Sequence, residues 1–184
     1  MRSAMARHPG VALRPHLKTA KSAAVARLAT GDRDGITVST IAEAEYFAKH
    51  GYRDILLAVT ATPDKAARLA PLAAAGVRVT LLADEIRTAG ELAGMGHPVL
   101  IEVDCGEARS GVLPDSDDLI KVAAALGDSL AGVLTHAGHS YRGRSASDFA
   151  RIAEQERTAV VHAAERLRSG GFRCDTVSVG ATPT

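Results

Sequence analysis

The sequence has no tryptophan, only 3% aromatic residues, two cysteines and almost no net charge. Each shortage removes a class of protein. Basic and acidic side chains number 22 and 21, so no excess of one sign favours nucleic acid or a charged membrane surface. Cys105 and Cys174 lie far apart and neither belongs to a CxxC pair. That pattern sets aside a disulfide framework and leaves reduced thiols in the cytoplasm as the expectation. No apolar run approaches the ~20 residues of a membrane span. The opening MRSAMARHPG carries arginines with no apolar stretch behind them, unlike a secretory signal.

What is present is a chain of 184 residues, 46% apolar and rich in alanine. This is enough for one domain with a core, its Ala-rich helices packed on something flat. No linker-like or low-complexity segment divides it. Strand candidates fall at residues 11–18, 36–40, 54–59, 77–82, 99–104, 132–135 and 176–179. Several, such as DILLAV, VRVTLL and PVLIEV, are almost continuously apolar, as strands covered on both faces are. Helical patterns lie between them: AKSAAVARLAT, IAEAEYFAKHG, TPDKAARLAPLAAAG, EIRTAGELAGMG, DSDDLIKVAAALG and the long SASDFARIAEQERTAVVHAAERLRSGG. Gly51, Gly76, Gly96 and Gly170 read as helix stops, and Thr62 as the cap before Pro63. Alternating strands and helices predict an α/β protein with a parallel sheet. An open doubly wound sheet suits the length. A (β/α)₈ barrel, normally about 250 residues, would here be about seven strands and incomplete.

The strand ends carry the chemistry. In LRPHLKTAKS, strand alternation puts Leu13, Pro15 and Leu17 on one face and Arg14, His16 and Lys18 on the other. A face of Arg, His and Lys suits a polar cavity, with Lys18 at the C-terminal end where parallel α/β folds bind ligands. A lysine crowded by Arg14 and His16 is how proteins make a Schiff-base nucleophile; a cap on a surface strand is the plainer explanation. Lys21 is expected in the first helical turn, facing solvent. VLIEVDCGEARSG places Glu102 and Asp104 on one face and Arg109 in the next loop, where a guanidinium can hold an anionic oxygen or simply pair with the aspartate. GVLTHAGHSYRG brings His136, His139, Tyr141 and Arg142 to a strand end, and His136, His139 and Asp104 could also bind a metal. VSVGATPT leaves its strand through Ser178, Gly180, Thr182 and Thr184, small residues whose N–H groups and hydroxyls could cradle a phosphate. A lysine together with a phosphate nest points to pyridoxal phosphate.

RPHLKTAKS resembles the RPHxKTxK segment of the D-threonine aldolase and D-serine dehydratase family, pyridoxal-phosphate enzymes with a barrel of the alanine-racemase type. TVSTIAEAEYFAKHGYRDILLA, EVDCGEARSGV, HAGHSY and SVGATPT fit the same family in the same order. The resemblance implies a (β/α)₈ TIM barrel with Lys18 as the Schiff-base lysine. It places Arg109 near the cofactor's phenolic oxygen or the lysine, Tyr141 and His136 by the ring, and the loop of Ser178, Gly180, Ala181 and Thr182 around the phosphate. Lys18, or His16 beside it, would be the base. The implied activity is a lyase acting on a D-β-hydroxy amino acid, dehydratase-like more than aldolase-like, with a homodimer as one arrangement. Members of the family begin with an earlier helix, of which residues 1–8 resemble the tail. They continue into a closing strand and a β-rich domain holding a divalent metal. Thr184 lies inside the phosphate motif, so residues 1–184 correspond to a partial barrel without those metal ligands. The alternatives are a cofactor-binding module completed by a partner, and a metal-dependent hydrolase using Asp104, His136 and His139.

Overall fold

The computed structural model describes residues 7–184; the tail of an earlier helix, expected over residues 1–8, lies mostly outside them. The described residues form six strands: β1 (Gly35–Val38), β2 (Asp54–Thr60), β3 (Arg78–Ala83), β4 (Val99–Val103), β5 (Leu130–Thr135) and β6 (Thr176–Ser178). They alternate with α1 (Ala23–Thr30), which precedes β1, and with α2 (Ile41–Lys49), α3 (Pro63–Ala74), α4 (Ile86–Leu92), α5 (Asp117–Leu126) and α6 (Ala146–Ser169). All pairings are parallel, and the strand order in space is the order in sequence. A doubly wound sheet reverses its strand order at a switch point. This one never does, which makes it the wall of a partial barrel.

The two faces of the wall follow the period of two. Ile36, Ile55, Leu57, Val79, Leu81, Val99, Ile101 and Val133 point outward into the main core, packed beneath the helices with Phe47, Leu69, Leu119 and Leu167. Leu56, Leu82, Leu100, Ala131 and Leu134 form a smaller cluster on the other face. Phe47 is fully buried and meets Tyr52 edge-on, with ring centroids 5.6 Å apart. Strands covered on both sides need no polar alternation, which is why their sequences read as continuous apolar runs.

Three expectations need correction. Residues 11–18 are not a seventh strand: they touch β1 through one parallel bridge, His16 to Thr37. Leu17 N–H donates to Thr37 O and Thr37 N–H to Pro15 O, both at 2.9 Å. Pro15 has no N–H to extend the ladder. Thr62 stands at the N-cap of α3, but its side chain makes no capping bond to the backbone and pairs instead with Asp64. Gly170 caps α6 as expected, but Gly96 does not stop α4, which ends at Leu92 with Ala93 as its C-cap.

Candidate active site

The lysine segment keeps the expected alternation. Leu17 is buried in the helix-side core, while Arg14 points to the opposite side. Its guanidinium does not crowd Lys18. Nη1 donates to the carbonyls of Ile36 and Asp54 at 3.2 and 3.1 Å, and Nη2 bonds the Asp54 carboxylate. Together with Leu56, Arg78, Thr80, Leu100, Thr176 and Ser178, Arg14 lines a cavity of about 70 Å³. Ser178 therefore faces this floor. Lys18 itself is exposed, and among the described residues its ammonium takes no hydrogen bond or ion pair. Lys21 precedes α1 with φ 43°. It is more than a solvent-facing residue, because its Nζ lies 3.1 Å from Oε1 of the buried Glu43. Burial works to raise the Glu43 carboxyl, but the Ser39 N–H and the Lys21 ammonium outweigh it and hold the group below its usual range.

His16 sits between these groups. Its Nδ1 accepts the Lys18 N–H at 3.2 Å, and its Nε2 faces Ser39 Oγ at 3.4 Å. Desolvation is the main force that lowers its pKa to about 4; the charges of Lys18 and His136 add to it, and Glu43 opposes them. The imidazole is therefore neutral in the folded protein at neutral pH. The unfolded chain begins to take up a proton near pH 6.5, so stability is full above that pH and falls as the pH drops toward 4. In urea melts between pH 4 and 7, His16→Asn should flatten this slope. A slope unchanged by the substitution would contradict the neutral imidazole.

The loop after β4 is built on Asp104, whose Oδ1 accepts N–H bonds from Gly106, Glu107 and Ala108 at 2.8, 3.0 and 3.1 Å. No Asp104–Arg109 pair forms. Arg109 is largely exposed and lies 3.7 Å from Glu107, whose carboxylate is packed so close to Gly138 that a Cβ there would sit 2.2 Å from its Oε1. The buried Glu102 accepts from Ser110 Oγ at 2.8 Å. Both ring nitrogens of His139 are buried without a partner. Among the described residues, no group of three His, Cys, Asp or Glu side chains is placed to hold a metal. Asp104, His136 and His139 thus form no such group.

The loops after β5 and β6 do converge. His136 Nδ1 lies 2.8 Å from Gly180 O, and Tyr141 donates to Thr182 Oγ1 at 3.3 Å. The His136 and Tyr141 ring centroids are 6.5 Å apart. Ala181 packs instead toward Cys105, Ala137 and Ile152. Beneath the loops lies Glu156 of α6, a residue for which no role was expected. Its Oε1 accepts from Ala137 N at 3.0 Å and Gly180 N at 3.3 Å, and its Oε2 from Thr184 Oγ1 at 3.0 Å. The sequence does carry a signal for it: Glu156 falls on the stripe of Ile152, Val160 and Ala163 that buries α6. A cavity of about 800 Å³ lies elsewhere, between the β4–α5 loop and α6, and includes neither Lys18 nor His136.

A phosphate suits this loop. The N–H groups of Ala181 and Thr182 have no partner among the described residues, and Thr182 adds a hydroxyl. A Cβ at Gly180 would meet nothing within 4 Å, so the space beside it is open. Unpaired N–H groups at a strand end make an anion cradle. With the unpartnered Lys18 amine, the donor set fits pyridoxal phosphate; the Gly180 N–H, already given to Glu156, is the exception.

Parallel strands in sequential order, with an unpartnered lysine and a hydroxyl-bearing loop at their C-terminal ends, define an α/β barrel-type domain. The chain belongs to the family of alanine racemase N-terminal domains, whose model matches residues 1–184. It is 42% identical over 187 residues to D-threo-3-hydroxyaspartate dehydratase from a Delftia species, covering 95% of this chain and 49% of the relative. The solved structure of that enzyme superposes with a TM-score of 0.92 at 41% identity, over 100% of this chain and 51% of the other. D-threonine aldolase from an Arthrobacter species is 32% identical, over 94% of this chain and 48% of that one. The chain thus spans about half the length of these curated relatives. No helix among the described residues is long and apolar enough to cross a membrane.

Proposed function

We propose that the chain forms the pyridoxal-phosphate-holding barrel portion of a lyase acting on D-β-hydroxy amino acids. The observation that carries this reading is the gathering of Lys18, His16, His136, Tyr141, Gly180 and Thr182 at one end of the sheet, where His16 feels the charges of both Lys18 and His136. In this reading Lys18 Nζ holds the cofactor. The Thr182 hydroxyl and the N–H groups of Ala181 and Thr182 hold its phosphate, with Ser178 and Gly180 shaping the loop. Tyr141 fixes Thr182, His136 fixes Gly180, and Arg109 reaches the ring from the β4 loop. The bound group supplies an electron sink for a bond breaking at the substrate's Cα.

Lys18 Nζ, freed as an amine when the substrate's amino group displaces it, would be the base that suits the Cα proton. His16 orients the lysine instead, since its Nδ1 is occupied by the Lys18 N–H and its basicity is low. Among the described residues, no cluster of His, Cys, Asp or Glu fits a divalent metal. Dehydratase chemistry is favoured over aldol cleavage, supported by the higher identity to the hydroxyaspartate dehydratase. A second reading, cofactor binding without turnover until another polypeptide completes the barrel, is favoured by the open β6 edge, where Val177 and Val179 are 38% and 54% exposed.

Incubation with pyridoxal phosphate and D-3-hydroxyaspartate, D-serine or D-threonine separates these readings. Release of ammonia and a keto acid is expected for the dehydratase, and glycine with an aldehyde would mean an aldolase. Cofactor capture with no turnover would select the second reading.

A further inference from the structure

Glu156 is 4% exposed, and no basic side chain pairs with it among the described residues. A carboxylate taken out of water without a cation is costly unless N–H and O–H donors satisfy it. Here the donors come from both sides of the site: Ala137 from the loop after β5, and Gly180 and Thr184 from the loop after β6. One side chain therefore ties the His136 loop to the anion cradle. It also places a negative charge directly beneath a loop read as the seat of a phosphate, and it takes the Gly180 N–H for itself. A glutamine has the same shape: its oxygen would accept both N–H bonds, and its amide would donate to Thr184 Oγ1. The anchoring needs no charge.

We propose that Glu156 is a positioning residue with two opposed effects, its side chain fixing the 180–184 loop and its charge holding phosphate binding there weak and reversible. The inference rests on the phosphate-loop part of the function proposed above.

The test compares the full chain with Glu156→Gln and Glu156→Ala, using inorganic phosphate, pyridoxal phosphate and pyridoxal as probes. Glu156→Gln should bind inorganic phosphate and pyridoxal phosphate about tenfold more tightly, because a nearby like charge is removed. It should leave capture of pyridoxal, which lacks the phosphate, unchanged. Hydrogen exchange of the 178–184 peptide should be the same in Glu156→Gln as in the parent chain and faster in Glu156→Ala. Phosphate affinity unchanged or weakened in a folded Glu156→Gln overturns the charge effect. A 178–184 peptide that exchanges at the parent rate in Glu156→Ala overturns the anchoring. If Glu156→Ala does not fold, Thr184→Ala reads the anchoring through the same peptide. Phosphate tightening in Glu156→Gln without any cofactor adduct on Lys18 would leave Glu156 in its role and sink the lyase reading. An adduct on Lys18 with no difference between the variants would do the reverse.

Discussion

Lys18→Ala should abolish the adduct that borohydride fixes between the chain and pyridoxal phosphate, while Lys21→Ala should leave it in place. The two lysines differ in sequence by three positions and in structure by everything that governs an amine. Lys21 is held by Glu43 at 3.1 Å, and its left-handed backbone, at φ 43°, turns the chain into α1. Lys18 has no such partner and stands on the face that carries His16. A covalent bond to one nitrogen has no substitute, so peptide mapping should show essentially complete loss of label at residue 18. Because Lys18 is exposed, its removal should leave the urea midpoint nearly unchanged. Lys21→Ala removes the cation facing the buried Glu43, so it should lower the urea midpoint while leaving the adduct. Label that appears on Lys21 instead, or scatters over many lysines, would end the assignment.

Gly132→Ala should be the most damaging small substitution near the site. Gly132 lies in β5 opposite Thr176 of β6, with φ 143°. A Cβ there would fall 2.0 Å from Thr176 O and 2.8 Å from its carbonyl carbon. Those atoms are backbone and cannot rotate away, so β6 itself must move. It is joined to the sheet by only three residue pairs, Gly132–Thr176, Val133–Val177 and Leu134–Ser178, and it delivers the loop that holds Gly180 and Thr182. The expected cost is about 3 kcal/mol or more, with pyridoxal-phosphate capture lost alongside. Gly94→Ala is the matched control. Its φ of 75° strains an alanine, but a Cβ would meet nothing within 4 Å, so it should lower stability by about 1 kcal/mol and keep the adduct. Equal capture by the two variants would show that β6 does not need its close approach to β5.

The parallel sheet was legible because buried parallel strands leave unbroken apolar runs, and glycines such as Gly51 and Gly76 close the helices between them with positive φ. Strand order was not legible: local periodicity is the same in a barrel wall and in a doubly wound sheet, and only the pairing of β1 through β6 in sequence order decides. Residues 11–18 misled because side-chain alternation survives in an extended arm that has almost no ladder. The lysine and the small-residue loop stood out as residue types at strand ends. Their supports did not, since Glu43, Asp54 and Glu156 act on groups 22 to 40 residues away in sequence. Glu156 hides in the polar run EQE, visible only against the apolar stripe on which it falls.

The arm that carries Lys18 makes only two backbone bonds to the sheet, both at Thr37, the rest of its attachment coming from the Arg14 side chain and the buried Leu17. Backbone with so short a ladder opens more readily than a strand paired along its whole length, which would hold a lysine in place by its neighbours. Part of any ligand's interaction with Lys18 is then spent on ordering the arm, and the apparent affinity is reduced by the fraction of time the arm spends in the binding-competent arrangement. Anything that pinned residues 11–18 more firmly, whether a further strand or a second polypeptide, would tighten ligand binding without touching the ligand.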